Sequence, residues 1–181
     1  MKQKFKINYE VLQPMDLVLT STSGIKSVFV RGVTTGGKNM FNKKLATHCG
    51  LVINIHDQLL MVEMIGRGIN IVSLNDYTNR KKYIVAVRRH YIYIDKYIRE
   101  IAQKRIALDL RYSLDYDFKG IYSFVNSRVE DDVKRYYCSE YCYMQTAADG
   151  IKYPDSFADK VSPYDLQVVS NGFRDIDFKI G

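Results

Sequence analysis

Tryptophan is absent from this chain, and proline, cysteine and histidine occur only three times each. Three cysteines, an odd number, cannot all be paired in a disulfide framework and fit reduced thiols. Three histidines leave few groups that titrate near neutral pH, so each can be weighed as a partner for acid–base chemistry. No stretch approaches the ~18 consecutive apolar residues of a membrane-spanning helix. Met1-Lys2-Gln3-Lys4-Phe5-Lys6 has the charge of a leader peptide, but the ~7–15 apolar residues that would follow are missing. A cytosolic protein is therefore expected.

The 181 residues, 46% apolar and 26% charged, suffice for one sizeable core, and a single domain spanning 1–181 is expected. Fifteen tyrosines read as packing side chains with wet hydroxyls. The formal charge of +7 favours an anionic polymer or an anionic membrane surface as partner. Its cations lie in scattered pairs (Lys43-Lys44, Arg80-Lys81-Lys82, Arg88-Arg89) rather than in a dense block, so specific nucleic-acid binding is not expected.

Met15 to Thr20, after Pro14, reads as a short buried strand. Gly24 to Val33 carries Ile25, Val28 and Phe29 at helical spacing and ends in the polar loop Thr34-Thr35-Gly36-Gly37-Lys38-Asn39. Thr47 to Ile55 and Leu59 to Ile65 predict a hairpin, Ile69 to Val72 a third strand and Tyr83 to Arg88 a fourth, together an antiparallel meander. Asp95 is suited to cap a helix reaching about Leu110, with Ile98, Ile101, Ala102 and Leu108 inward. A second helix is predicted from Cys138 to Ala148, closed by Asp149-Gly150. Ser162-Pro163-Tyr164-Asp165 predicts a short capped turn of helix. The class is α+β, an antiparallel sheet or small barrel flanked by helices.

Cys138, at the start of the predicted helix, is the strongest candidate nucleophile, because the positive end of the helix dipole favours its thiolate. Such a thiolate works with an imidazole that protonates the leaving group. His56 sits at the presumed hairpin turn, solvated. His90 follows Arg88-Arg89, whose charge opposes protonation of its ring. His48 opens an apolar strand, and Gly50 beyond it leaves room for another element to approach. The other reading of His48 is a satisfied core or edge side chain.

Glu63 is the only charge in Leu59-Leu60-Met61-Val62-Glu63-Met64-Ile65, and burying it demands a partner. With a turn at Asp57-Gln58, Glu63 would face Val52 on the side of the sheet that carries His48, about four residues away, so a bulge or strong twist is needed for contact. A surface carboxylate on an edge strand is the alternative. Cys49 must point away from His48, so the two cannot share an ion. Cys138 and Cys142 are four apart without a second ligand pair, and no metal or other cofactor is expected.

Pro14-Met15-Asp16-Leu17-Val18-Leu19, Thr47-His48-Cys49-Gly50-Leu51-Val52, Glu63, Tyr137-Cys138-Ser139-Glu140-Tyr141 and Ser162-Pro163-Tyr164-Asp165-Leu166 occur in the order seen in the circularly permuted NlpC-type, YiiX-like papain-like hydrolases. The chain resembles that family over nearly its whole length. Met15 stands where the family usually has glycine, Cys49 where it has valine and Tyr141 where it has leucine. The resemblance implies a permuted papain-like fold with Cys138 as nucleophile, His48 as base and Glu63 as the group orienting it. It also implies Tyr116, within Asp115-Tyr116-Asp117-Phe118, and Ser139 as substrate-binding or oxyanion residues.

The expected activity is cleavage of an amide by a thiol hydrolase, first of a peptidoglycan-type peptide and second of a lipid acyl bond. A non-catalytic binding or host-interaction protein that retains the fold is the rival from another class.

Overall fold

Three successive strands form the hairpin stack that the sequence predicts, but the fourth does not extend it. The computed structural model describes residues 5–37, 39–112, 115–116, 135–157 and 160–180. Strands β2 (Leu17–Thr22), β3 (His48–Ile55), β4 (Gln58–Ile65), β5 (Gly68–Val72), β6 (Lys82–His90) and β9 (Phe173–Asp175) form a six-stranded antiparallel sheet in the order β5-β4-β3-β2-β6-β9. β6 pairs with β2, not with β5. The early strand after Pro14 thus lies centrally, between the hairpin and β6. Two short pairings lie outside this sheet: β1 (Lys6–Ile7) with β10 (Lys179–Ile180), and β7 (Asp115–Tyr116) with β8 (Arg135–Tyr136).

Four helices are present among the described residues: α1 (Ile25–Thr34), α2 (Lys96–Tyr112), α3 (Cys138–Ala147) and α4 (Pro163–Val168). With the sheet they make the α+β class that the sequence predicts. None of the helices is long and apolar enough to cross a membrane. The α3 end is as expected, with Gly150 at φ 86° just past it, a backbone conformation that glycine tolerates best. At α4, Ser162 and Asp165 form the predicted reciprocal capping box and Pro163 takes the first turn.

Side-chain alternation gives the sheet two buried faces. Leu17, Leu19, Cys49, Leu51, Val62 and Met64 pack with Ala102 and Ile106 of α2 and Cys138, Tyr141 and Cys142 of α3. Val18, Val52, Met61, Ile84 and Val87 turn the other way, onto Leu12, Leu74, Tyr77 and Phe178. Each such large aliphatic side chain contributes roughly 1.5–3 kcal/mol on burial. On α2 the inward residues are Ala102 and Ile106, with Ile98 partly covered, whereas Ile101 and Leu108 are exposed, contrary to the sequence reading.

The hairpin turn lies one residue earlier than predicted. His56 and Asp57 form it with φ of 48° and 63°, so Ile55 pairs with Gln58 and Gly50, not Val52, with Glu63. A two-residue hairpin turn with positive φ at both central positions suits Asp and His better than Gln. Gly50 is required there, because an added Cβ would lie 2.7 Å from Met61 Cγ and run into the Val62 carbonyl. The space the sequence assigned to another element is filled by β4 itself.

Candidate functional site

The one-residue change of register brings Glu63 within reach of His48. Glu63 is opposite Gly50, two residues from His48 along β3, so the two side chains are diagonal neighbours on one face and no bulge is needed. His48 Nε2 and Glu63 Oε2 are 2.8 Å apart. The carboxylate is nearly enclosed, with 4% of its side chain exposed against 20% for His48. Its remaining acceptor positions are filled: Tyr77 donates its hydroxyl to Oε2 at 2.6 Å, and Asn70 donates its amide to Oε1 at 3.0 Å. Asn70 is the β5 residue directly opposite Glu63, so Gly50, Glu63 and Asn70 form one row across three strands.

Pairing between β3 and β4 stops at Gly50–Glu63. The N-terminal end of β3 is therefore open on that side, and the start of α3 meets it there. Cys138 is the first residue of α3, where N–H groups lack intrahelical partners and the dipole favours an anion. The Cys49 thiol and backbone N–H and the His48 ring lie close enough to its sulfur to act on its charge. With Nε2 bonded to Glu63, Nδ1 is the ring nitrogen left for the thiol.

The electrostatics follow from these contacts. The hydrogen bond from Cys49 and the charge of His48 hold the Cys138 thiol well below the ordinary thiol range, against the opposing effect of burial. Burial disfavours the His48 cation, but the Cys138 thiolate and then Glu63 outweigh it and raise the imidazole to about 10. Burial works against ionised Glu63 as well, yet His48, Tyr77 and Asn70 bring its carboxyl below the usual range. The Cys49 thiol is pushed well up by burial and by its sulfur neighbours, so it remains a donor. The favoured state is a thiolate–imidazolium pair supported by a carboxylate.

A cleft of about 520 Å³ opens onto Cys138 and His48. Phe29, Val30 and Val33 of α1 form one wall and Tyr137 and Pro163 another, with Thr34 and Thr47 between. Among the described residues, His48 and Cys138 are joined in the lining mainly by apolar side chains.

The structure thus brings together Cys138, His48 and Glu63. Ser139 lines the cleft, but its hydroxyl is fully buried and donates to the Val161 carbonyl at 2.8 Å, so that side chain holds α3 to the following segment instead of serving a substrate. The backbone of Tyr116 pairs with Tyr136, two residues before Cys138; its side chain lies outside the described residues. His56 is exposed at the turn, as expected. His90 is buried, and that burial, rather than Arg88 and Arg89, lowers its pKa. The two arginines turn to Asp175 and Asp16.

Three participants have no strong local signal. Asn70 could have been found as the only polar side chain in Ile69-Asn70-Ile71-Val72, given the correct hairpin register. Tyr77 reaches Glu63 from a 3-10 turn, and Cys49 reaches Cys138 because the sulfur lies at the strand's end. All three cysteines are free thiols. Among the described residues, no group of three or more His, Cys, Asp or Glu side chains is arranged to hold a metal ion. No family model matches the chain, and no curated protein matches it.

Proposed function

We propose that this protein is a thiol hydrolase of amide or ester carbonyls, built on the permuted papain-like arrangement that its motif order resembles. The observation that carries the reading is the His48 imidazole bonded at 2.8 Å to a buried, fully partnered Glu63 while it also partners the Cys138 sulfur. In this reading the Cys138 thiolate adds to the carbonyl carbon. The resulting oxyanion is received by backbone N–H at the start of α3. The His48 imidazolium then protonates the departing amine or alkoxide as the C–N or C–O bond breaks, leaving a thioester on Cys138. Neutral His48 takes a proton from water, hydroxide adds to the thioester, and the acid and thiolate are released. Glu63 holds the ring orientation and stabilises its cation.

The cleft bears on the substrate. Phe29, Val30, Val33 and Pro163 give the described lining of the cleft an apolar character. That lining favours an apolar acyl group beside the scissile carbonyl, the second of the two substrate classes expected from sequence. The test is to incubate the protein with muropeptides, N-acyl amides and phospholipids and to follow the products by mass spectrometry. The expected result is hydrolysis of an acyl substrate that Cys138→Ala abolishes while the variant still unfolds cooperatively. Hydrolysis of muropeptides alone would overturn the substrate class, and full activity of Cys138→Ala would overturn the mechanism.

A further inference from the structure

Helix α1 is inside out. It buries its polar residues, Ser27 and Arg31, at 4% and 2% exposure. Arg31 donates to the Met40 carbonyl and to Ser21 Oγ, both at 2.9 Å, and Ser27 Oγ lies 3.2 Å from Thr47 Oγ1. Two of its apolar residues face solvent, Ile25 at 88% exposure and Phe29, one turn on, at 57%, while Val28, Val30 and Val33 are half-buried. Met40 packs against Gly32 on the same helix and brings Phe41, 77% exposed, beside it. Exposed aliphatic and aromatic side chains on one helix and its following loop are costly unless an apolar phase receives them.

Charge identifies that phase. Residues 17–56 contain no Asp or Glu, while Lys26, Arg31, Lys38, Lys43 and Lys44 fall within 25–44. Lys43 and Lys44 are exposed just after Phe41. With Arg80 and Lys179 they line a groove of about 1530 Å³ whose one acid, Asp175, is already ion-paired to Arg88. Exposed apolar side chains followed along the chain by exposed cations match a bilayer, whose acyl boundary takes the former and whose anionic headgroups take the latter. A soluble polyanion would use the lysines and leave Ile25, Phe29 and Phe41 without a role.

We infer that α1 and the 35–44 loop dock the protein on an anionic lipid surface, with Ile25, Phe29 and Phe41 entering the acyl boundary and Lys43 and Lys44 meeting the headgroups. Phe29 belongs both to this surface and to the cleft wall, so the cleft opens at the membrane face. The inference does not depend on the thiol's chemistry, and Cys138→Ala protein is expected to dock like the native chain.

The test is co-sedimentation of the full chain with vesicles of phosphatidylcholine alone and of phosphatidylcholine mixed with phosphatidylglycerol. Binding to the mixed vesicles is expected to be at least ~10-fold tighter and to weaken with salt. Paired Lys43→Gln and Lys44→Gln substitutions should weaken it roughly 25-fold. Ile25→Asp with Phe41→Asp should abolish binding to both vesicle types at an unchanged unfolding temperature. Equal binding to the two vesicle types, absence of binding, or unchanged binding by either variant would overturn the inference. Absence of vesicle binding combined with self-association that Ile25→Asp and Phe41→Asp remove would assign the face to a protein contact instead.

Discussion

Two buried ionic arrangements are built on neighbouring strands, and they differ in what they leave open. Asp16, fully buried, receives two hydrogen bonds from Arg89, Nε to Oδ1 at 2.6 Å and Nη2 to Oδ2 at 2.8 Å. Gln13 N–H completes the carboxylate, and Arg89 also donates to the Val11 carbonyl. Both members are enclosed, with 7% of the Arg89 side chain and none of the Asp16 side chain exposed. Glu63 is just as well satisfied, but its partner His48 retains a second ring nitrogen, stays partly exposed and adjoins a thiol at the head of a cleft. Satisfaction of the buried acid makes each arrangement stable, whereas the unused valence at the other end is what allows chemistry.

The largest effect is expected from damage to the Asp16–Arg89 cluster. Arg89→Met leaves the buried Asp16 without its bidentate partner, which should cost ~3–5 kcal/mol of stability. Urea unfolding measures that loss. In the fraction that remains folded, the pH dependence of Cys138 alkylation should be unchanged; a coordinated change in both would show that the clusters are not separate.

Next in size is the open cluster. Glu63→Gln keeps the shape but removes the charge that supports imidazolium, and turnover should fall ~10–100-fold, with the alkaline limb of the rate profile moving below its native position near 10. The native protein should also show a defined stability profile. Cys138 has a lowered folded pKa, so its contribution is lost as pH falls through that value; His48 has a raised one, so its contribution is lost as pH rises through about 10. With unfolded values of roughly 6.5 for His and 8.5 for Cys, the two compensate between those limits, and stability should be flat there before it declines toward pH 10. Thermal unfolding across pH 5–10 checks this, and in Glu63→Gln the decline should be smaller and end at lower pH.

The smallest effect should come from Tyr77→Phe, which removes one donor to Glu63. About 1 kcal/mol of stability and a few-fold of turnover should be lost, with His48 still paired. A loss as large as that of Glu63→Gln would mean that Tyr77 acts on the substrate directly.

Much of the site was legible because its residues stand out locally. Cys138 follows an aromatic run at a helix start, His48 and Glu63 interrupt apolar strands, and strand parity placed the last two on one face. Their contact was not legible, since it depended on whether the turn fell at His56-Asp57 or Asp57-Gln58. Parity also separated Cys49 from His48, yet both act on Cys138, at the end of β3 that β4 leaves unpaired. The strand neighbours of β6 were missed for a different reason: proximity along the chain favoured β5, while β2, some 60 residues earlier in the chain, supplies its pairing partner. Helical spacing in α1 was correctly read, but spacing alone does not say which face is inward, and the buried hydroxyls with Arg31 reverse the usual choice. Met15 has a φ of 71°, the conformation that favours glycine. Its side chain is nevertheless buried in the core, so the strain is offset by packing.

The central claim, that Cys138 is held as a thiolate by His48 and Cys49, is tested most directly by the pH dependence of iodoacetamide alkylation, followed for each cysteine by peptide mass spectrometry. Cys138 is expected to react at pH 6 nearly as fast as at pH 8, with Cys49 and Cys142 far slower throughout. A Cys138 rate that rises with a single midpoint near ~8.5, or that matches the other two thiols, would contradict it.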